Sequence, residues 1–535
     1  MAAGCGGKST PAPAASERPR THEALATLFT EWRAFQRPVI TGGVPDYSAA
    51  AMVAQHEGLA RWMQRLSSFD TTGWTVAQQV DYHVVRAEMN GLDFDHRVLK
   101  PWANNPAFYV SVFGDESDQP AREGPYVWGG VDMWRYPQPL TAAQAAEIDS
   151  GLARIPALLT QAQTQLTGKQ KDLWTYGTRS VKAQATELAA YAAALPADQG
   201  ALKATAQAAQ RATERFAAWL DAEAPSRTGP SGVGRDNYDW YLKNVQLVPY
   251  SWQDEVTLVQ RELARSYAYL ALEEVRNAGR PPLPIVSSEA EHTKRFSAAV
   301  TEYMGFLKSS GVISVRDYMD ARMRERIGTY SSAKREFFGE VDYREPVAMR
   351  THGFHWFDKG AMAAGYGNPI RNGALLYNIF NNRTEGLATG WEEMMMGAGL
   401  FDKQPRSREL ILILLAERAA RAMGDLKMHA NEWTLEQAAQ YAAANTPRGW
   451  LSLDGNLVWG EQHLYLKQPA YGVSYVIGKI EVEKIMQARM RQLGDTFSVG
   501  AFMDTLTGAG QIPISLIRWQ MTGELGEDLQ RMLGR

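Results

Sequence analysis

RELILILLAERAARAMGDLKMHANEWTLEQA, residues 408–438, is the stretch whose reading decides the fold. Ile, Leu, Ala and Met crowd it at helical spacing, and strong helix formers dominate. Within it Arg421, Asp425 and His429 follow one another every four residues, with Glu417 and Arg418 alongside. Ionisable groups stacked along such a helix are costly unless they pair or line a cavity. Two readings stay open: a buried structural Arg–Asp–His network, or a shell that supports a cleft.

The same spacing extends outward over most of the chain. Residues 22–36, 48–68, 75–98, 141–167, 178–195 and 198–222 read as helices on the N-terminal side, and a long helix is expected from about Ser251. Further helices are expected at 289–309, 314–326, 384–400, 407–430, 434–444, 471–492, 498–507 and 514–534. Residues 101–140 are dense in Pro, Gly and aromatics and read as a long ordered loop. FFGEVDYREPVAM, 337–349, is the best strand candidate. The expected fold is mainly α, a large multi-helix body with a small β element. A Gly/Pro/Ser stretch at 226–237 separates an N-terminal helical half, 21–230, from a C-terminal half, 231–535, the two forming one continuous body.

Composition narrows the functional classes. The chain of 535 residues is 45% hydrophobic and 21% charged, as globular proteins are. A net charge of −3 and the lack of a dense basic run give nucleic-acid binding no electrostatic support. No apolar run is long enough to span a bilayer. Cys5 is the sole cysteine, so cysteine cannot dominate a metal site and no intrachain disulfide forms. Its setting, AAGCGGKSTPAPAAS, resembles the end of a bacterial lipoprotein signal followed by a flexible tether over residues 1–20. A lipid on Cys5 would anchor the protein to a membrane in the periplasm or outer envelope without making it integral.

His352 and His355, in MRTHGFHWFDKG (349–360), are three residues apart. At that spacing two imidazoles can meet on one face and hold a metal, or they can be ordinary packing residues. His22-Glu23 and His56-Glu57 are not zincin motifs, because the positions that need a second histidine are Ala26 and Ala60. A helix from Thr384 would place Glu385 and Glu392 along one face, with Glu393 beside them, or would simply carry acids favourable to its dipole. Tyr465, Tyr471 and Tyr475 flank a break at Pro469, and a tyrosine hydroxyl can stabilise a developing oxyanion.

Taken together, GRDNYDWYLKNV (234–245), TEGLATGWEEMMMGAGLFD (384–402), RAARAMGDLKMHANEWTLEQA (418–438), PAYGVSYVIGKIEVEKI (469–485) and FSVGAFMDTLTGAGQIPISLI (497–517) resemble, in order, the motifs of the bacterial domain of unknown function 885 family. The resemblance covers roughly residues 20–525. It implies a largely helical, gluzincin- or carboxypeptidase-like metallopeptidase in which His-Glu-x-x-Pro-Gly-His precedes a Glu-Gly-Trp-Ala segment. Glu385 matches the later Glu, Asp425 and His429 an Asp/His helix motif, and Tyr475 the Tyr of a Tyr-Lys-Ile-Gly segment. His352 stands where the first metal histidine falls. Gly353 replaces the Glu expected as general base, Asp358 replaces the second histidine of the motif, and Leu464 stands where relatives tend to carry Arg.

The expectation is therefore a divergent metallopeptidase-like hydrolase acting on a peptide or small amide. Zinc or another divalent ion would sit among His352, His355 and Glu385. Tyr475 would aid the transition state and Glu392 or Glu393 would replace the base. Asp358, Arg421, Asp425 and His429 would support the site. A catalytically inactive relative that binds a peptide or small ligand is the alternative, and a structural envelope lipoprotein without a deep cleft is a third reading.

Overall fold

Helix Ser407–His429 runs where the sequence places it and is buried over nearly its whole length. Its apolar residues lie on every side, so it has no face to offer water. Helix Trp252–Arg276 packs along it, as do Leu435–Ala444 and Tyr471–Leu493. Trp252 ties two of these layers together by donating its indole N–H to the Leu426 carbonyl at 2.8 Å.

The computed structural model describes residues 21–534 apart from 121, 122, 374, 376 and 378. Cys5 and the tether at 1–20 lie outside the described residues. One apolar core runs from Leu25 to Leu533 and draws on both halves of the chain. A second, from Val44 to Leu220, fills the space between helices Ala142–Ala153, Ile155–Gln165, Lys171–Ala194 and Gly200–Glu223.

Helix starts follow local chemistry. Thr75, Thr141, Ser251 and Thr434 cap their helices, each in a reciprocal box with Gln78, Gln144, Asp254 or Gln437. The span 141–167 divides at Arg154, because Pro156 restarts the helix in its first turn. The span 514–534 divides at Gly523, whose φ of 73° ends helix Ile514–Thr522.

The strand expected at 337–349 is a correction: it folds as helices Phe337–Asp342 and Pro346–His352. Phe337 and Val341 are buried one helical turn apart, and Pro346 stands at a helix N-terminus, where its missing N–H costs nothing. The β structure among the described residues lies elsewhere. Ile40–Thr41 pairs antiparallel with Val44–Pro45, and Val112–Phe113 pairs parallel with Val131–Asp132. The second pair lies inside the long segment 101–140 and shapes the approach to the site.

Two glycines bring the site's helices together. A Cβ on Gly386 would lie 2.3 Å from the Gly478 Cα, and one on Gly478 would lie 1.9 Å from the Asn382 carbonyl oxygen. Helices Asn381–Gly397 and Tyr471–Leu493 therefore cross backbone to backbone. No larger side chain fits at either position.

Candidate metal centre

His352 ends helix Pro346–His352, and His355 lies in the first turn of helix Phe354–Ala364. The break at Gly353 turns the two imidazoles toward each other, with ring centroids 5.0 Å apart and planes at 85°. The glycine crossing sets Glu385 opposite them. His355 Nε2 lies 3.3 Å from Glu385 Oε2, and both side chains are 2% exposed. They are at ion-pair distance, yet neither atom makes a hydrogen bond.

A third element completes the cluster. Asp118, His352 and His355 each bring one ligand-type atom within 4.8 Å of the others. Asp118 comes from the acidic run Asp115-Glu116-Ser117-Asp118, which is pinned to helix Phe354–Ala364. The Lys359 ammonium lies 2.6 Å from a Glu116 oxygen and donates to the Ser117 carbonyl at 2.6 Å. Next in sequence, Gln119 donates to Glu385 Oε1 at 2.7 Å and accepts from the Thr384 hydroxyl at 2.8 Å. Tyr471 also donates to Glu385 Oε1, at 2.5 Å, and bonds to Glu123. One oxygen of Glu385 is thus held by hydrogen bonds while the other faces only His355, at ion-pair distance.

His352 is oriented in the same manner. Its Nδ1 lies 3.0 Å from a Glu392 oxygen, and Arg418 grips both Glu392 oxygens at 2.7 and 2.8 Å. Arg418 Nη2 also lies 3.1 Å from that Nδ1, so the Glu392–Arg418 pair together orients the ring and aims its other nitrogen, a recurrent device at metal sites. The donors fit a small divalent ion. A tetrahedral zinc with bonds of about 2.0–2.1 Å spaces its ligands about 3.3 Å apart. The unsatisfied His355–Glu385 pair already stands at that spacing.

The charges are strongly coupled. Burial alone would lower His355, but Glu385 and then Asp118 outweigh it and hold the imidazole up at about 9. Burial pushes Glu385 up, yet His355 and His352 carry it down to about 2. Burial and then the Arg418 guanidinium keep His352 below its ordinary value.

The remaining sequence candidates fall into separate networks. Glu392 is occupied by Arg418 and His352, and Glu393 faces the other way, paired with Arg265 at 2.8 Å and Lys479 at 3.0 Å. Neither is poised as a free base. Asp358 forms a buried two-pronged ion pair with Arg383, at 2.6 and 2.8 Å. Arg421 is held by Glu417 at 2.7 Å and Glu461 at 2.6 Å, beneath the Tyr465 and Tyr475 rings.

Asp425 and His429 bond to backbone groups of neighbouring segments. Asp425 accepts from the backbone N–H groups of Ala470 and Val473, both at 3.3 Å, and so caps helix Tyr471–Leu493. That cap holds Ala470 in the left-handed region, at φ 66°. His429 Nε2 donates to the Tyr465 carbonyl at 3.0 Å, and its Nδ1 accepts from Val233 N–H at 3.4 Å. Tyr475 packs edge-on against Tyr471, with centroids 6.0 Å apart. It is Tyr471, one turn earlier, that bonds to Glu385.

A cleft of about 1010 Å³ reaches the cluster through Asp118 and is walled also by Gln119, Glu123, Trp356 and Glu461. Burial, then Asp118, raise the Glu123 carboxyl to about 8. The sequence reading missed Asp118, Gln119 and Glu123. The one trace of them was an acidic run inside a segment otherwise rich in Pro, Gly and aromatics.

Comparison with known proteins places the chain, not the site, among relatives described as of unknown function. The fold resembles a solved structure from Shewanella oneidensis described as a "putative lipoprotein of unknown function", with a TM-score of 0.65 and 14% identity over 93% of this chain and 97% of that one. It also resembles a solved structure described as "the putative lipoprotein from Colwellia psychrerythraea", with a TM-score of 0.65 and 14% identity over 96% of this chain and 99% of that one. At that identity the likeness shows the fold alone. No curated protein matches the sequence. No described helix is long and apolar enough to cross a membrane. Residues 34–374 and 374–521 match the family described as "Bacterial protein of unknown function (DUF885)", and the chain belongs to that family.

Proposed function

We propose that the protein is a divergent metal-dependent hydrolase of the bacterial envelope, acting on a peptide or small amide that enters the cleft. The observation that carries this reading is the His355 Nε2–Glu385 Oε2 pair. Two buried atoms stand 3.3 Å apart without a hydrogen bond, beside His352 and Asp118. The pair has opposite charges but no hydrogen bond, and a bound cation in place of the imidazolium proton would give both atoms a direct partner. His352, His355 and Glu385 would hold the ion with Asp118, and zinc suits that mixed imidazole–carboxylate set. When bound, it supplies Lewis acidity to a carbonyl group.

The chain's own residues do the rest. Gln119 and Tyr471 fix the orientation of Glu385, and Glu392 fixes that of His352. Glu123 is the cleft carboxyl placed to exchange a proton, because Glu392 and Glu393 are each committed to cations. Trp356 and Tyr126 give the cleft apolar surface against which a substrate side chain can lie. A lipid on Cys5 would hold this body at a membrane surface, as the description of both structural relatives as lipoproteins supports.

The test is a survey of short peptides and amides with zinc-loaded protein, read by release of primary amine. Hydrolysis by the wild type, abolished in Glu385→Ala with the fold intact by circular dichroism, supports the proposal. Retained ligand binding without turnover in the metal-loaded wild type would favour the alternative, a catalytically silent relative that binds a peptide or small ligand.

A further inference from the structure

Beyond the tyrosine–lysine wall of the cleft lies a second cavity, of about 330 Å³. It shares only that wall, Tyr126 and Lys467, with the cleft. Six further aromatic residues, Tyr47, Trp102, Phe108, Trp128, Tyr241 and Tyr377, line it, with aliphatic and amide side chains between them. One carboxylate, Asp95, opens into it.

Asp95 is unlike the other buried acids. Its carboxylate accepts no hydrogen bond and pairs with no cation among the described residues. Burial holds it up at about 8, with no opposing partner. By contrast, the tyrosine hydroxyls nearby are engaged: Tyr47 accepts from Trp128 N–H at 2.9 Å, and Tyr241 donates to the Tyr377 carbonyl at 3.4 Å. What the cavity offers is therefore aromatic rings and one carboxyl with no partner cation, a group that an entering cation would hold ionised. Lys467 is the cation on its wall, and its ammonium is turned to the Tyr126 hydroxyl at 3.1 Å.

The backbone around the cavity is unusual in a matching way. Asp95 opens a π-helical turn, Asp95–Leu99, that closes on Lys100 at φ 41°. Tyr241 leads into a second, Leu242–Gln246, that closes on Leu247 at φ 52°. Wide helical turns and left-handed non-glycine residues are costly, and they gather at functional sites. The first lines the cavity through Asp95 and Leu99, and the second begins directly after Tyr241, which also lines it.

We infer that this cavity binds an organic cation, an ammonium group on a small apolar body, with the charge set against Asp95 and caged by the surrounding aromatic faces. The quadrupoles of Tyr and Trp attract such a cation most strongly when it is desolvated. An anion would meet Asp95, and a purely apolar guest would leave that carboxylate unpaired. None of the proposed metal ligands belongs to this site, so it stands or falls apart from the hydrolase reading.

The experiment is a ligand-observed NMR titration of the full chain with choline and with its neutral isostere 3,3-dimethylbutan-1-ol. The expected result is saturable choline binding, about tenfold tighter than the isostere, with that preference lost in Asp95→Asn. Should Asp95→Asn fail to fold, Trp128→Ala serves in its place, because Trp128 is 41% exposed at the rim and its loss should weaken choline alone. Equal binding of the two compounds, no saturable choline binding, or a preference that survives the substitution each overturns the inference. Zinc binding should be unchanged in Asp95→Asn, which separates failure of this site from failure of the other.

Discussion

Glu392 and His352 meet at 3.0 Å through the imidazole Nδ1, and Arg418 binds both oxygens of that carboxylate while its Nη2 lies 3.1 Å from the same Nδ1. The relationship converts a histidine at a helix end into a directed donor. Its other nitrogen is left for the cluster formed with His355 and Asp118. Glu392 is thus a positioning residue, and its effect should be read in affinity.

Glu392→Gln should lower zinc affinity by about 10- to 100-fold, the usual effect of losing such a partner. It should also destabilise the fold, since the Arg418 charge loses its counter-ion while buried. Competition with a chelating dye gives the first quantity and thermal unfolding the second. Unchanged affinity would mean that His352 is not held for a metal.

Gly353→Glu should not restore a peptidase base. A Cβ at Gly353 points at Met323, 2.9 Å from its Cε, and lies 3.1 Å from the Arg350 carbonyl oxygen. The side chain would be driven into packed surroundings, at a cost of about 1–3 kcal/mol. Urea unfolding should show that loss, and amide turnover should not rise. A gain in turnover would show that the helix break can open toward the cleft.

Asp358→Ala should cost about 3–5 kcal/mol, because Arg383 would remain buried and unpaired. Asp358 stands where the family motif leads one to expect a ligand, yet its oxygens are consumed by that guanidinium. Zinc stoichiometry in whatever fraction stays folded should be unchanged. A lost metal would return Asp358 to the ligand set.

Asp425 supplies a pH test away from the cluster. Burial raises its carboxyl from near 3.8 to about 8. The native state therefore binds the extra proton, and wild-type stability from this group falls as pH rises from about 4 to about 8. Asp425→Asn, which cannot ionise, should lose less stability than the wild type over that window. Chemical unfolding at pH 5 and pH 8 measures the difference; parallel curves would contradict the buried, proton-holding cap.

Much of the fold was legible because its signals are local. Ser251, Thr75 and Thr434 announce helix starts, and the apolar run at 410–415 announces a buried helix. Residues 337–349 misled because Phe337, Val341 and Val347 suit a strand by composition, while burial by turns and Pro346 at a helix start decide otherwise. His352, His355 and Glu385 could be named from sequence, and the structure brings them together. Asp118, Gln119 and Glu123 could not. Their places depend on Glu116 docking on Lys359 and on Tyr471 reaching back to Glu123, contacts between residues far apart in the chain. Tyr475 was favoured over Tyr471 by motif position, and a single helical turn separates the two.

Metal stoichiometry tests the central claim most directly. Protein purified without a histidine tag or chelator, incubated with zinc and desalted, should carry about one zinc per chain by plasma mass spectrometry. His355→Ala/Glu385→Ala should carry none while remaining folded. A wild type that retains no metal, or a variant that retains as much, would contradict the account.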